Sequence, residues 1–534
     1  MTDEEKQRTS RWDKLYGTLE KVSIKFVLTA CCLAGILFTF WAGVSSNKFP
    51  DDYMQEMAQE TPDSLLGNLL FWFVGIVLIW GLWKLLSLGV RENEEKLQKR
   101  LHLLVIILCI LLGGILLVWV HITHYTMLAD QENVYGATLE FAQGDYSSIQ
   151  KPGYIYHYPF QLNLTFIYQL LFSVFHTQSY RLLQYLNIIS ILLTIYFGYR
   201  IVNELTRNPV VQISYIILSF TFMPMFIYSQ FVYSDLFLLA MTNIGIWSLL
   251  RWFQDKRVRY GVIVVLTAMC ANLLRMNYGV ILIAVSIAII YHAAKKKSWR
   301  PLILLALCAA VPLSASQMIK MYYSGKSGLE ISRGMPVSYY LHGAMQEGSD
   351  GPGTFNMRLF IDYGNVADYD YDYYDMVQRA AIKVRIRDFL ANPKAIPDFY
   401  RRKLMQQWND YTFSSLCATH VVGDNEMGDI EWSVYYGNLN KLFEWHMDRC
   451  LFVFYLSFSI GTVVLWRQKR ELYEYVPLIA FIGGFLFSLL FETKGRYVMP
   501  YVVLVQPFAS MGLAQCVYGL EKIKKIARKK ISLS

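Results

Sequence analysis

Charge is scarce in this sequence. Asp, Glu, Lys and Arg make up 17% of its 534 residues, while 54% are hydrophobic. A soluble domain carries about 25% charged residues, so most of this chain cannot present a surface to water. Cysteine is scarce too, with eight in the chain. Six of them (Cys31, Cys32, Cys109, Cys270, Cys308, Cys516) stand inside apolar runs, where a thiol acts as a small core residue. That excludes a disulfide-held extracellular scaffold and leaves Cys417 and Cys450 as the candidates for an external bond. Several short signatures are missing: no GxxxxGK[ST] loop, no HExxH and no CxxC pair. Neither a nucleotide-driven motor nor a standard zinc site is indicated. The run "DYDYDYYD" at 368–375 lacks the glycine and distal glutamate of a calcium loop, and reads as a solvated acidic face.

What the chain has is apolar length. Runs lie near 26–45, 66–88, 102–123, 182–202, 210–228, 232–250, 276–293, 301–318, 449–466, 475–491 and 498–518, with a shorter one at 259–273. About 20 residues cross a hydrocarbon core of roughly 30 Å, so the expected class is an all-α polytopic membrane protein with about twelve transmembrane helices. Twenty-five largely polar residues precede the first run, and no small-residue cleavage site follows a short apolar region. The first run is therefore expected to stay as an anchor.

Lysine and arginine set the expected orientation, because positive loops stay cytoplasmic. The segments 1–25, 91–100, 200–207, 251–259, 295–300, 467–470 and 522–530 hold 29 of the 50 basic residues, against six in the short loops of opposite parity. Both termini are predicted inside. The formal charge of +9 then points to anionic lipid headgroups and not to nucleic acid.

The organisation follows. Residues 1–25 form a cytoplasmic tail and 26–100 a hairpin with the charged linker "RENEEKLQKR". A transmembrane core spans 101–318, with the long external loop 124–181. The segment 319–448 is a small extracytoplasmic cap, and 449–534 holds the last helices and a basic tail. No internal repeat of fixed period is present, which weighs against a transporter or flippase for a lipid-linked saccharide, the alternative for a chain of this shape. Inside 124–181 two pieces have helical spacing but too little apolar length to cross. One places Val134, Ala137 and Phe141 on one face; the other places Leu164, Ile167, Leu171 and Val174 on one face. Both are expected to lie in the interface plane. Between them "YIYHYPF" holds Tyr156, His157 and Tyr158 in an irregular loop.

Three constellations can carry chemistry. Asp130, with Glu132, follows the external end of the third run, where a carboxylate is tolerated at an edge or in a cavity. It reads either as the cap of the next helix or as a base toward a hydroxyl. Asp235 in "VYSDLFL" opens the sixth run, and complements a helix dipole or joins the same site. Arg275, in a very short turn, and Lys494 with Arg496 in "FETKGRYVMPYVV" stand at external ends. There they either snorkel to lipid phosphate or bind a ligand phosphate.

Taken in order, "MLADQENVY", "YIYHYPF", "VYSDLFL" and "GRYVMPYVV" resemble the motifs of the GT-C superfamily. The branch is that of the protein O-mannosyltransferases and the aminoarabinose transferases of lipid A, which use polyprenyl-phosphate-sugar donors. The resemblance runs from about residue 102 to 518. The "YHYP" loop departs from the commoner double-proline form, and the first hairpin adds two spans. The resemblance implies a bacterial plasma-membrane enzyme with an external active site. Asp130 would be the general base, with Glu132 and Asp235 as supporting acids. Arg496, Arg275 and Lys494 would hold the donor phosphate, and Tyr156, His157 and Tyr158 would line the acceptor loop. The acceptor would be a hydroxyl of an envelope glycopolymer, lipid or protein. No cofactor is required on this reading; a divalent metal, used by some relatives, is left open.

Overall fold

The computed structural model describes residues 3–48, 59–89, 93–420 and 427–531. The protein is an all-α polytopic membrane protein. Among the described residues, ten helices are long and apolar enough to cross a membrane. A bent pair, Pro209–Phe220 and Met223–Gln230, at 48°, forms either a broken span or a re-entrant loop. Pro224 stands at the start of its second piece, where the missing N–H prevents a continuous ladder. Val258–Leu274 is apolar but has 17 residues. These twelve elements fall on the twelve apolar runs. Two short antiparallel ladders, Ser45–Lys48 with Gln59–Pro62 and Glu347–Gly348 with Gly351–Pro352, are the strands described.

The last helix, Gly495–Ile531, is the axis of the bundle: 94% of its most apolar window is buried inside the protein. Its main neighbour is Asn438–Trp466. Their backbones approach at two glycines. A Cβ on Gly461 would lie 2.1 Å from the Phe508 carbonyl oxygen, and one on Gly512 would lie 1.8 Å from that of Ser457. Small residues let membrane helices pack this closely, which matters where lipid supplies no hydrophobic drive between helices.

The N-terminal hairpin is less separate than its charged linker suggested. Phe38 of the first helix stacks on Trp408 with centroids 4.9 Å apart, and Arg449 donates to both carboxylate oxygens of Asp63 at 2.7 Å. The second hairpin helix, Leu65–Leu86, leaves most of its apolar surface outward.

The segment 319–448 does more than cap the bundle. Helix Arg300–Ser327 runs past the predicted boundary, and Asn438–Trp466 begins before it. Between them Val337–Gly343, Met357–Asn365 and Tyr371–Ala391 form an outer layer. Its Tyr/Asp run opens a helix, with Asp370 capping Tyr373 N at 2.9 Å, and Asp368, Asp370 and Asp372 are exposed, as a solvated acidic face. Ala395–Trp408 then dives inward, and Trp408, Tyr411, Phe413 and Leu416 join the main core. None of the eight cysteines forms a disulfide, so the candidates Cys417 and Cys450 are not joined.

Candidate active site

Asp130 is placed by a strained lead-in. After helix Glu94–Ile122 the chain is clipped at His124, whose backbone N and Nδ1 meet the buried Glu431 carboxylate at 2.8 and 3.0 Å. Ala129 then takes φ 51°, ψ −122°, a left-handed region that costs an L-residue of order 1–3 kcal/mol. Helix Asp130–Ala142 starts there. Its cap is Ala129, without a side-chain cap bond, and Asp130 is the first helical residue. The carboxylate is therefore not spent on capping. Its Oδ1 accepts from Tyr154 Oη at 3.0 Å, and its Oδ2 lies 3.5 Å from Arg496 Nη2.

Tyr154 is itself held. Gln161 Nε2 donates to Tyr154 Oη at 3.1 Å and, in a short bond, to Tyr233 Oη. Burial, with Tyr233 and Asp130 alongside, pushes the Tyr154 phenol well above its ordinary pKa, so it remains a donor at neutral pH. Gln161 precedes helix Leu162–Phe175, whose inward face is not the predicted one. Leu164, Thr165, Tyr168 and Phe172 are buried, whereas Val174 is exposed. The chain turns through two short helical pieces before Leu162, and that entry angle, invisible in the spacing, rotates the helix.

The basic half comes from two other places in the chain. Arg275 ends Val258–Leu274; its Nη2 donates to Asp235 Oδ2 at 2.5 Å and its Nε to Ser234 Oγ at 3.2 Å. Asp235 thus serves a neighbour as well as its helix start. Arg496 is 7% exposed, and its buried Nε has no hydrogen-bond partner. Both guanidiniums share two rings: Arg275 lies 4.7 Å from Tyr233 and 5.5 Å from Tyr497, and Arg496 lies 5.5 and 5.3 Å from the same two. These faces hold the cations side by side. A narrow pocket opens between Asp235, Arg275, Arg496 and Tyr497. An unspent donor on a buried arginine fits an anion with several acceptor oxygens, since leaving such a donor unmet is costly.

The remaining predicted residues divide. Lys494 stands at the rim, 3.7 Å from Glu492. Glu132 is exposed on the first turn of the Asp130 helix. Tyr158 packs on Tyr154 at 5.1 Å; burial, with Tyr339, Tyr340, Asp130 and Glu492 nearby, drives its phenol pKa up. Tyr156 and His157 turn instead into the outer layer. His157 is buried against Phe360, Tyr363 and Tyr369, its Nδ1 bonded to the Gly153 carbonyl, and burial lowers its pKa so that it stays neutral.

Reading the residues in order missed several members. Tyr154 and Tyr233 lie inside quoted motifs yet gave no signal beyond being aromatic. Glu492, four residues before Arg496, accepts from Tyr497 Oη at 3.3 Å and forms a second carboxylate beside Tyr158 and Tyr340. Gln161 had no distinguishing signal. The loop carrying Glu492 and Arg496 is pinned from the outer layer, with Thr493 N donating to the Gly353 carbonyl and its hydroxyl to that of Pro352, each at 2.8 Å. Among the described residues, no group of three His, Cys, Asp or Glu side chains is arranged to hold a metal.

No family model matches this chain, and no curated protein sequence does. Among solved structures it is similar to the oligosaccharyltransferase of Archaeoglobus fulgidus, crystallised with a tethered acceptor peptide, with a TM-score of 0.38 and 14% identity. The likeness covers 77% of this chain and 49% of that one, so the chain spans about half the length of the protein it matches.

Proposed function

We propose that this protein is an inverting glycosyltransferase of the GT-C type. It moves a sugar from a polyprenyl-phosphate carrier to a hydroxyl of a cell-envelope glycopolymer, lipid or protein, at the outer face of a bacterial plasma membrane. The observation that carries the reading is the Asp130–Arg496 contact of 3.5 Å beside the second arginine. A candidate base lies against one of two neighbouring arginines that share the Tyr233 and Tyr497 rings.

In this reaction the acceptor hydroxyl gives its proton to Asp130 as its oxygen bonds to the anomeric carbon. The bond from that carbon to the phosphate oxygen breaks, and the electron pair leaves with the lipid phosphate. Attack and departure on opposite faces invert the anomeric centre. Arg496 and Arg275 stabilise the charge developing on the leaving phosphate, and Lys494 meets it at the rim. Tyr154 holds one Asp130 oxygen, and the other, beside Arg496, takes the proton. A base so placed is worth about 10²–10⁴ in rate. A donor embedded in the bilayer reaches such a site laterally, without a nucleotide-binding loop.

The test is transfer of radiolabelled sugar from a polyprenyl-phosphate-sugar pool to envelope material, in membranes holding wild type or Asp130→Asn at matched abundance. Label transferred by wild type and lost in the variant supports the reading, and the labelled product names the acceptor. Equal label in both removes Asp130 from the mechanism. No transfer from any donor, with labelled carrier crossing the membrane instead, favours a flippase.

A further inference from the structure

A second cleft lies at the far end of the Asp130 helix. Helix Asp130–Ala142 has 13 residues, about 20 Å at 1.5 Å per residue, and its C-terminal turn forms one wall. The end of Leu162–Phe175 and the last turns of Arg300–Ser327 form the others, enclosing about 1080 Å³. None of the residues placed around Asp130 and Arg496 lines it.

Its chemistry is unlike that of the first site. Phe141, Tyr146, Phe166, Phe172 and Tyr322 line it, with Tyr146 on Phe141 at 5.0 Å and Phe166 on Tyr322 at 5.8 Å, and the buried Tyr323 behind them joins the two pairs, 5.2 Å from Phe141 and 6.4 Å from Phe166. Tyr322 is 46% exposed at the open end of this wall. The rest of the lining combines amides and hydroxyls (Thr138, Gln143, Gln169, Ser173, Thr177 and Gln178) with Leu170 and His176. Gln169 is committed to structure, accepting from Tyr323 Oη at 2.7 Å and donating to the Thr138 carbonyl at 3.2 Å. Of the described residues that line the cleft, none is acidic, and Lys326 is the one lysine or arginine.

We infer that this cleft binds an uncharged oligosaccharide, in extended contact with the aromatic and amide lining. A pyranose offers a face of C–H bonds, whose weakly positive hydrogens seat on the electron-rich face of a ring. Its hydroxyls each donate and accept, as the amides and hydroxyls opposite do. An anionic lipid would need cations, and a bare acyl chain would leave the lining amides unpaired. The volume is at or above the roughly 300–1000 Å³ of small-molecule sites, enough for more than one sugar ring. The inference goes beyond the transfer reaction and is read by binding alone, so a failed transfer assay leaves it standing.

The experiment uses the full chain in lipid nanodiscs. Saturation-transfer NMR and calorimetry are run with hexaoses of glucose, mannose and N-acetylglucosamine as probes. At least one hexaose is expected to bind, with transfer strongest to its C–H face. Tyr322→Ala should weaken it about tenfold, with recovery in Tyr322→Phe. Asp130→Asn should leave it unchanged, and unaltered gel-filtration profiles control for folding. Absence of binding by every hexaose overturns the inference. So does binding that is lost in Asp130→Asn and kept in Tyr322→Ala, which would put the glycan at the first site. Co-purifying anionic phospholipid that is released by Lys326→Glu, together with no hexaose binding, would make the cleft a lipid site.

Discussion

The Arg496 guanidinium lies 3.5 Å from the Asp130 carboxylate, although 366 positions separate them in the chain. Neither group is matched one to one. Asp130 also receives the Tyr154 hydroxyl, and Arg496 keeps an unused Nε. A pair arranged only for stability would satisfy both partners. Here the Arg496 Nε is left unmet, and Arg496 lines a narrow pocket with Arg275 and Asp235.

The Tyr154 bond separates positioning from chemistry. Tyr154→Phe removes one donor from Asp130 while keeping the ring against Tyr158. Sugar transfer should fall about tenfold, well short of the Asp130→Asn loss, with unchanged thermal stability. Wild-type rates in this variant would make the hydrogen bond incidental.

The Arg275–Asp235 pair is buried on both sides, with side chains 12% and 3% exposed. Asp235→Asn strands a guanidinium away from water, at a cost of ~3–5 kcal/mol. The melting temperature in detergent should drop sharply, and Asp235→Asn with Arg275→Gln should recover much of it. Additive losses in the double variant would show that the two groups are not coupled.

Gly495 is adjacent to Arg496 and closes on another element. A Cβ there would stand 2.2 Å from Asp410 Oδ2, and that carboxylate is fixed by the Thr412 N and Oγ and the Ser414 N at 2.7–2.9 Å. Gly495→Ala should cost about 1–3 kcal/mol and impair transfer, because Arg496 shifts with its neighbour. Gly279→Ala, with nothing within 4 Å of the added methyl, is the control and should be neutral in a thermal unfolding comparison.

Lys403 is fully buried, its Nζ donating to the Ala344 carbonyl at 2.6 Å. Burial pulls its pKa from 10.5 down to about 7, against an opposing pull from Glu492. A depressed lysine contributes stability that is present above its unfolded value and lost as pH falls through about 7. Melting temperature should therefore rise between pH 7 and 10 in wild type, and more steeply than in Lys403→Met. Asp410 acts in another window. Burial raises its pKa from 3.8 to about 6 despite bonds from Thr412 and Ser414, so its contribution is lost as pH rises through about 6. Identical pH profiles for wild type and Lys403→Met would mean that Lys403 titrates normally.

Hydrophobic length is a local property, and it was enough to locate the ten spanning helices, the bent pair and the shorter Val258–Leu274, with the acidic end of the third run and the basic start of the last. The motif order also put Asp130, Asp235 and Arg496 at corresponding helix ends, and the short turn of Arg275 added it to them. Three-dimensional packing decided the rest. It assigned Asp235 to Arg275 and Tyr154 to Asp130. It brought Glu492 in beside Tyr158, took Tyr156 and His157 away into the outer layer, and drove Trp408 through Leu416 into the core. Spacing along a chain constrains only residues within a few turns of one helix. Partners hundreds of positions apart are chosen by which helix ends meet and at what angle they enter, and here those angles rest on backbone devices: the left-handed Ala129, the glycine contacts at 461 and 512, and the turn before Leu162.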